Sequence, residues 1–401
     1  MRLLKILLIA MLVVLPFGEI FRFGLGNDIY FKPLDALSIL LLCWTMILYI
    51  RNKKWRTSLK WYYFLFPLIG LISLLINSFW LRPTEILVSF LYLIRWVGYM
   101  SVFFGVIQTD EKLKNKIRWF MLADGIVILV IGFLQFFLYP NLRNLVYLGW
   151  DEHLYRLFSS FLDPNFAGAF LVLFLLFVMS LFFQKKQTKK RLILLGILEA
   201  VTLVAIFLTY SRSALLMLLV SGITFFLLMQ KKKFILLLVG LLVAFVLIIS
   251  PYFYLENINL FRINSSIARL TTSENALRVI QDHPIIGVGF DSYRYAQEKY
   301  TFYKFPQKFP DHSDAGVDMS LLFVFATTGI IGLAAYLYLW FRLLKTARQS
   351  YKNEKNMYGI MALACEAGLF IDALFLNSLF YPTIMLWMWL IFSFNYKKEK
   401  N

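Results

Sequence analysis

Residues 185–233 read KKQTKKRLILLGILEAVTLVAIFLTYSRSALLMLLVSGITFFLLMQKKK. Two apolar runs, 192–209 and 213–229, meet at Thr209-Tyr210-Ser211-Arg212-Ser213 with almost no loop between them, and Lys and Arg crowd both far ends. Each run is close to the roughly 20 residues that a helix needs to cross ~30 Å of hydrocarbon. The stretch therefore reads as a membrane-spanning helical hairpin, with its tip on one side of the bilayer and its basic ends on the other.

The same alternation continues in both directions. Twelve apolar stretches are expected to span, at 3–18, 34–50, 61–78, 86–107, 118–138, 166–183, 192–209, 213–229, 234–253, 319–341, 358–376 and 380–396. With the N-terminus inside, 27 of the 41 basic residues fall in the inside gaps, 13 in the outside gaps, and Arg95 lies mid-span. Cytoplasmic loops carry such an excess. The expected fold is an all-α polytopic membrane protein of about twelve helices, both termini cytoplasmic, in an inner membrane. Two outside segments are long, 139–165 and 254–317, and the second is the expected extracytoplasmic loop between helices nine and ten. The chain divides into helices one to five over 1–155 and a second region over 156–401.

Composition agrees. Apolar residues make up 60% of the chain and the mean hydropathy is +0.69, above the range of globular proteins. A net charge of +18 would suggest nucleic acid in a soluble protein, but here the excess sits in short loops beside anionic headgroups, so no nucleic-acid partner is expected. Cys43 and Cys365 both lie inside apolar spans and imply no disulfide. Arg2 and Lys5 precede an apolar run as in a signal peptide; no small-x-small cleavage site follows, so the run reads as an uncleaved first helix. No repeat of the kind found in many secondary transporters is visible.

Four outer-side segments carry the chemistry. In the first, Arg156 precedes Asp163-Pro164-Asn165; Asp163 or Asn165 suits a helix cap, while Arg156 beside that helix N-terminus suits an anion. In the second, Ser211 is a plausible cap and Arg212 stands on the outer side, against the charge trend, with a planar fork fitted to phosphate oxygens. The third runs from Arg269 through Arg278 and His283 to Pro284, Gly287 and Gly289. Its residues 273–281 read as a short amphipathic helix with Ala276, Leu277 and Ile280 on one face, ended by Pro284. His283 reads as structural, and Gly287-Val288-Gly289 is too short for a nucleotide loop. The fourth holds Asp311, His312, Asp314 and Asp318, then Thr328-Gly329-Ile330-Ile331-Gly332. Solvated loop residues suffice for Asp311 and Asp314, and one imidazole among acids without fixed spacing makes a poor metal site. Asp318 opens the next span and lies near the interface. Within the spans sit Arg95, Asp124, Glu199, Glu366 and Asp372. Such charges usually pair inside the bundle, and Arg95 is the best candidate among them for a substrate contact.

Taken in order, these segments resemble the superfamily of O-antigen ligases and O-antigen, capsule and exopolysaccharide polymerases, over roughly residues 156–395. Pro164-Asn165 matches the family's Pro-Asn before a helix, and Ser211-Arg212 its Ser-Arg hairpin. Arg269, the helix at 273–281 and Pro284 to Gly289 match an Arg, a helix and a Pro-x-x-Gly-x-Gly turn; Thr328 to Gly332 match Thr-Gly-x-x-Gly. One departure stands out. Many members place His-Asn eleven residues before the Gly matching Gly329, and here that position holds Asp318-Met319, with His312 six residues earlier.

The resemblance implies a membrane glycosyltransferase of C-type fold that needs no cofactor and moves an oligosaccharide from a polyprenyl diphosphate to an acceptor hydroxyl on a glycan or lipid-linked glycan, during surface polysaccharide assembly. It implies Arg212 and Arg269, with Arg156 or Arg278, as diphosphate ligands in place of a metal, and Asp318 or His312 as the base. The His-to-Asp departure leans the reading from ligase toward polymerase. A transporter or flippase of the same lipid-linked glycans is the alternative; it would carry charges along a central pathway and on both faces.

Overall fold

The computed structural model of the chain describes residues 1–26, 29–52, 60–184, 187–252, 263–302 and 316–396. A helix coincides with every one of the twelve expected stretches. They are α1 (Arg2–Val14), α2 (Pro33–Arg51), α3 (Tyr62–Ile76), α4 (Pro83–Ile107), α5 (Glu111–Leu138), α6 (Pro164–Phe182), α7 (Lys189–Leu208), α8 (Arg212–Leu228), α9 (Lys232–Ile249), then α12 (Ser320–Glu354), α13 (Met357–Asp372) and α14 (Pro382–Ser393). Between α9 and α12 lie α10 (Ile263–Asp282) and α11 (Tyr293–Lys299). Among the described residues nine helices are long and apolar enough to cross a membrane, and α8 and α14 are shorter apolar helices. The protein is an all-α, multi-pass membrane protein.

Several details differ from expectation. A small antiparallel hairpin, β1 (Phe23–Gly26) with β2 (Ile29–Phe31), follows the first helix; such a short pair has no hydrophobic period long enough to read from sequence. The helix expected at 273–281 begins ten residues earlier, at Ile263. Its buried face is Ala276, Val279 and Ile280, with Leu277 46% exposed instead, because positions three and four apart share a face whereas neighbours point about 100° away.

The helix interiors explain the polar outliers unevenly. Arg95 Nε lies 3.0 Å from Asp35 Oδ1, and Tyr99 donates to the same carboxylate at 2.6 Å. Arg95 is thus tied into an interior pair. The four acidic residues behave otherwise: Asp124, Glu199, Glu366 and Asp372 each have at least one buried oxygen without a hydrogen-bond partner among the described residues.

Core density is highest in α6, α13 and α14. In α6 all but three residues of Pro164–Phe182 are buried, and in α14 every residue is. Trp387 of α14 packs among Phe170, Phe174 and Phe177 of α6. A helix apolar all round belongs in the centre of a bundle. These central helices hold the segments of the candidate site that start and end beside them.

Candidate functional site

The site is organised by a break in a helix. Gly329 interrupts α12 with φ 66° and ψ −172°, a conformation essentially confined to glycine. The break leaves the carbonyls of Ala326 and Thr327 without helical partners. Val288 N donates to Ala326 O at 3.0 Å, and Gly289 N donates to Thr327 O at 3.1 Å. On the far side of the break, Ile330 N donates to Pro284 O at 2.9 Å. The Pro284–Gly289 turn therefore plugs the break, which answers the rule that backbone at membrane depth must find its hydrogen bonds inside the protein.

From α3, Ser73 Oγ donates to Ile286 O at 2.7 Å and Thr327 O at 2.9 Å, and Asn77 Nδ2 donates to Gly287 O at 3.0 Å. A Cβ at Gly287 would stand 2.5 Å from the Thr327 carbonyl carbon, and one at Gly329 would overlap the Ile285 carbonyl. Two motifs that are weak apart in the sequence, Pro-x-x-Gly-x-Gly and Thr-Gly-x-x-Gly, are one interlocked unit in space.

That unit fixes α10 against the start of α12. Thr272 Oγ1 donates to Asp318 Oδ2 at 3.2 Å, and Ser273 Oγ contacts Met319 Sδ at 3.3 Å. Arg269 lies one turn before Thr272 on the same face. Across from it, Arg212 opens α8, where Ser211 Oγ caps the helix by accepting from Ala214 N at 3.4 Å. Arg212 NH1 donates to Ser266 Oγ on α10 at 3.1 Å. Arg212 and Arg269 are close enough for their charges to repel, a juxtaposition that an anion between them would relieve.

A second arm reaches the same place from α6. Asp163 caps α6, accepting from Asn165 N at 2.6 Å and Phe166 N at 3.3 Å with Pro164 at the first turn. Asn165 Oδ1 accepts from Ser211 Oγ at 3.0 Å and from Arg156 NH2 at 3.3 Å. Arg156 Nε donates to Thr209 O at 2.8 Å, and Arg156 is 4% exposed. Arg156 is therefore a buried brace that locks the α7–α8 hairpin tip to the start of α6. Gly168 permits this approach, since a Cβ there would come within 2.7 Å of the Ala214 Cβ.

The structure thus gathers Arg212, Arg269, Asp318, Pro164, Asn165, Ser211 and the buried Arg156 at one end of the bundle, beside the Gly287–Gly329 plug. Arg278 does not join them. It is exposed and lies nine residues beyond Arg269, half a turn off in angle and about 13 Å along the axis. Asp311, His312 and Asp314 lie outside the described residues, and no group of three metal-ligating side chains occurs among the described ones.

One acidic residue and one histidine complete the cluster without having been placed there by the sequence. Asp372 is fully buried at the end of α13, with Ser213 and Ser378 beside its carboxyl group and Arg269 and Asp163 within electrostatic range. The backbone ties its helix end to the start of α12: Ser320 N donates to Ala373 O at 3.0 Å, and Ser320 Oγ to Leu376 O at 3.1 Å. His153 Nε2 lies 3.9 Å from Asp163 Oδ2. Asp372 stands at the same end of its span as Asp318 does of its own, which was the readable signal. His153 carried none, sitting alone in a polar loop.

Residues 198–337 match the family model described as O-antigen ligase. That region, about a third of the chain, is similar to the O-antigen ligase/polymerase superfamily. The match takes in the Ser211-Arg212 tip, α10, the Pro284–Gly289 plug, Asp318 and the Gly329 break. Comparison with curated proteins gives no match.

Proposed function

We propose that the protein transfers an oligosaccharide from a polyprenyl diphosphate to an acceptor sugar hydroxyl at the outer face of the bacterial cytoplasmic membrane, as a polymerase in surface polysaccharide assembly. The observation that carries this reading is the pairing of Arg212 with Arg269, next to the Asp318 carboxylate held by Thr272. In the reaction the acceptor oxygen attacks the anomeric carbon of the donor sugar. The bond from that carbon to the diphosphate oxygen breaks, and the electron pair leaves with the polyprenyl diphosphate. Asp318 takes the acceptor proton. Arg212 and Arg269 neutralise the charge that builds on the leaving oxygen, a role that preorganised cations perform without reorganisation cost. Asn165 and Arg156 hold the hairpin tip so that Arg212 stays aimed, and Asp372 sets Arg269 from the other side. Arginines in place of a metal make the reaction independent of divalent cations, and His312 is then a loop residue.

Purified protein in proteoliposomes with a polyprenyl-diphosphate-linked repeat unit is expected to lengthen the glycan and release polyprenyl diphosphate. Movement of the intact lipid-linked glycan between leaflets, with no new glycosidic bond, would overturn this in favour of a flippase. Transfer to a lipid A core but not to another repeat unit would make it a ligase.

The orientation belongs to the same proposal: twelve spans, both termini inside, and 139–165, 209–213 and 254–317 outside. A helix at every expected span and the basic inside gaps support it. In a background lacking Cys43 and Cys365, single cysteines at Ser266 and Ser313 are expected to react with an impermeant maleimide in intact cells. One at Thr188 is expected to stay unlabelled until the cells are opened. Labelling at Thr188 with protection of the other two would invert the topology.

A further inference from the structure

A groove of about 580 Å³ opens on the bundle between α8, α12 and α13, at the end opposite the candidate site. Leu337, Phe341 and Leu344 line one wall and Leu363 and Phe370 the other, while Arg348 and Lys352 stand at its far end. Leu337 and Phe341 are exposed on the bundle surface, so the groove faces the hydrocarbon. Tyr351 narrows its lower end by donating to the Leu228 carbonyl at 2.9 Å.

Two polar features in this apolar trough call for a ligand. Arg348 and Lys352 are exposed and belong to a basic run along α12 with Arg342, Lys345 and Lys355, which marks a headgroup level. Glu366 faces the groove, is 2% exposed, and has both carboxyl oxygens without partners. Buried polar groups of that kind are costly in a membrane and mark functional positions. Helix α13 returns antiparallel to α12 through Lys355 and Asn356. Counting equal rises from that turn puts Glu366 level with residue 345 or so, about one helical turn deeper than Arg348.

We propose that this groove is a binding site for one anionic glycerophospholipid. Its phosphate sits between Arg348 and Lys352. The ester linkages, one turn deeper, meet the Glu366 carboxyl group. The acyl chains lie along Leu337, Phe341, Leu344 and Phe370. A free anion would satisfy the two cations but leave Glu366 unmatched, which favours the lipid over inorganic phosphate.

The full chain, delipidated in detergent, would be titrated with dioleoyl phosphatidylglycerol, dioleoyl phosphatidylcholine or inorganic phosphate, reading lipid adducts by native mass spectrometry and the thermal midpoint in parallel. Phosphatidylglycerol is expected to form a one-to-one adduct and raise the midpoint, and the other two probes to do neither. Arg348→Ala with Lys352→Ala should weaken the adduct by roughly 30-fold, from two headgroup charges. Ala367→Phe keeps every charge but fills the trough, and should abolish it. Glu366→Gln keeps a donor and should bind, whereas Glu366→Leu should not. An unchanged adduct in both Ala367→Phe and the double variant would mean only annular lipid and would overturn the site. Displacement by inorganic phosphate would reduce it to an ion site, and displacement by a polyprenyl phosphate would hand the groove to the donor's tail.

Discussion

Arg212→Ala and Arg269→Ala are each expected to abolish glycan transfer while the protein stays in the membrane at normal level. Removing one preorganised donor from a developing oxyanion costs about 10²–10³ in rate, and here two act on one diphosphate. The structure indicates why the fold should tolerate the loss. Ser211, not Arg212, caps α8, and Arg156, not Arg212, braces the hairpin tip through Thr209 and Asn165. Arg269 lies on the half-buried face of α10 outside the Ala276–Val279–Ile280 core. Lysine at either position should rescue poorly, because an ammonium cannot reproduce a planar fork with parallel donors. Arg278→Ala, on the opposite face of α10, serves as the internal control and should keep activity. Turnover measured with the purified variants checks all of this, and full activity in both alanine variants would remove the diphosphate role from these residues.

The contrast between Arg269 and Arg278 shows what the sequence could and could not reveal. Spans and basic gaps were legible because hydrophobic length and charge asymmetry are one-dimensional signals, and a helix stands at every predicted span. Arg212 was legible too, as an outer cation against the trend. Arg269 was named as a ligand and Arg278 kept as an alternative to Arg156; setting Arg278 aside needed the register of the helix, which the sequence reading placed too short and with Leu277 on the wrong side. Arg156 was readable as an outer cation but not as a buried brace, since its partners Thr209 and Asn165 come from two other elements. The same holds for Asp372. Within a span it looked like a charge in search of a partner, and only the packing of α13 against α12 and α8 carries it to Arg269. The plug of Pro284–Gly289 into the Gly329 break was visible as two glycine motifs about forty residues apart, with nothing in either to say that they bond to each other.

Asp318→Asn is expected to lower transfer by roughly 10² or more, the usual worth of a positioned general base. The substitution keeps the size of the side chain, and the amide oxygen can still accept from Thr272, so the start of α12 and the plug should be undisturbed. What it removes is the proton acceptor. His312→Ala should cost much less under the same conditions. The pair of variants separates two chemistries, because a dead His312→Ala protein alongside an active Asp318→Asn protein would restore a histidine base and move the assignment toward ligase. Thr272→Val supplies a finer reading: it strips the hydrogen bond from Asp318 without touching the carboxylate, so it should shift the pH profile of turnover to higher pH, since a carboxylate that loses a donor holds its proton more tightly. Activity should also persist in EDTA, because the leaving diphosphate is held by guanidinium groups. Loss in EDTA with recovery on adding one divalent cation would instead make Asp311, His312 and Asp314 a metal site, and the arginine pair alone would no longer account for departure of the diphosphate.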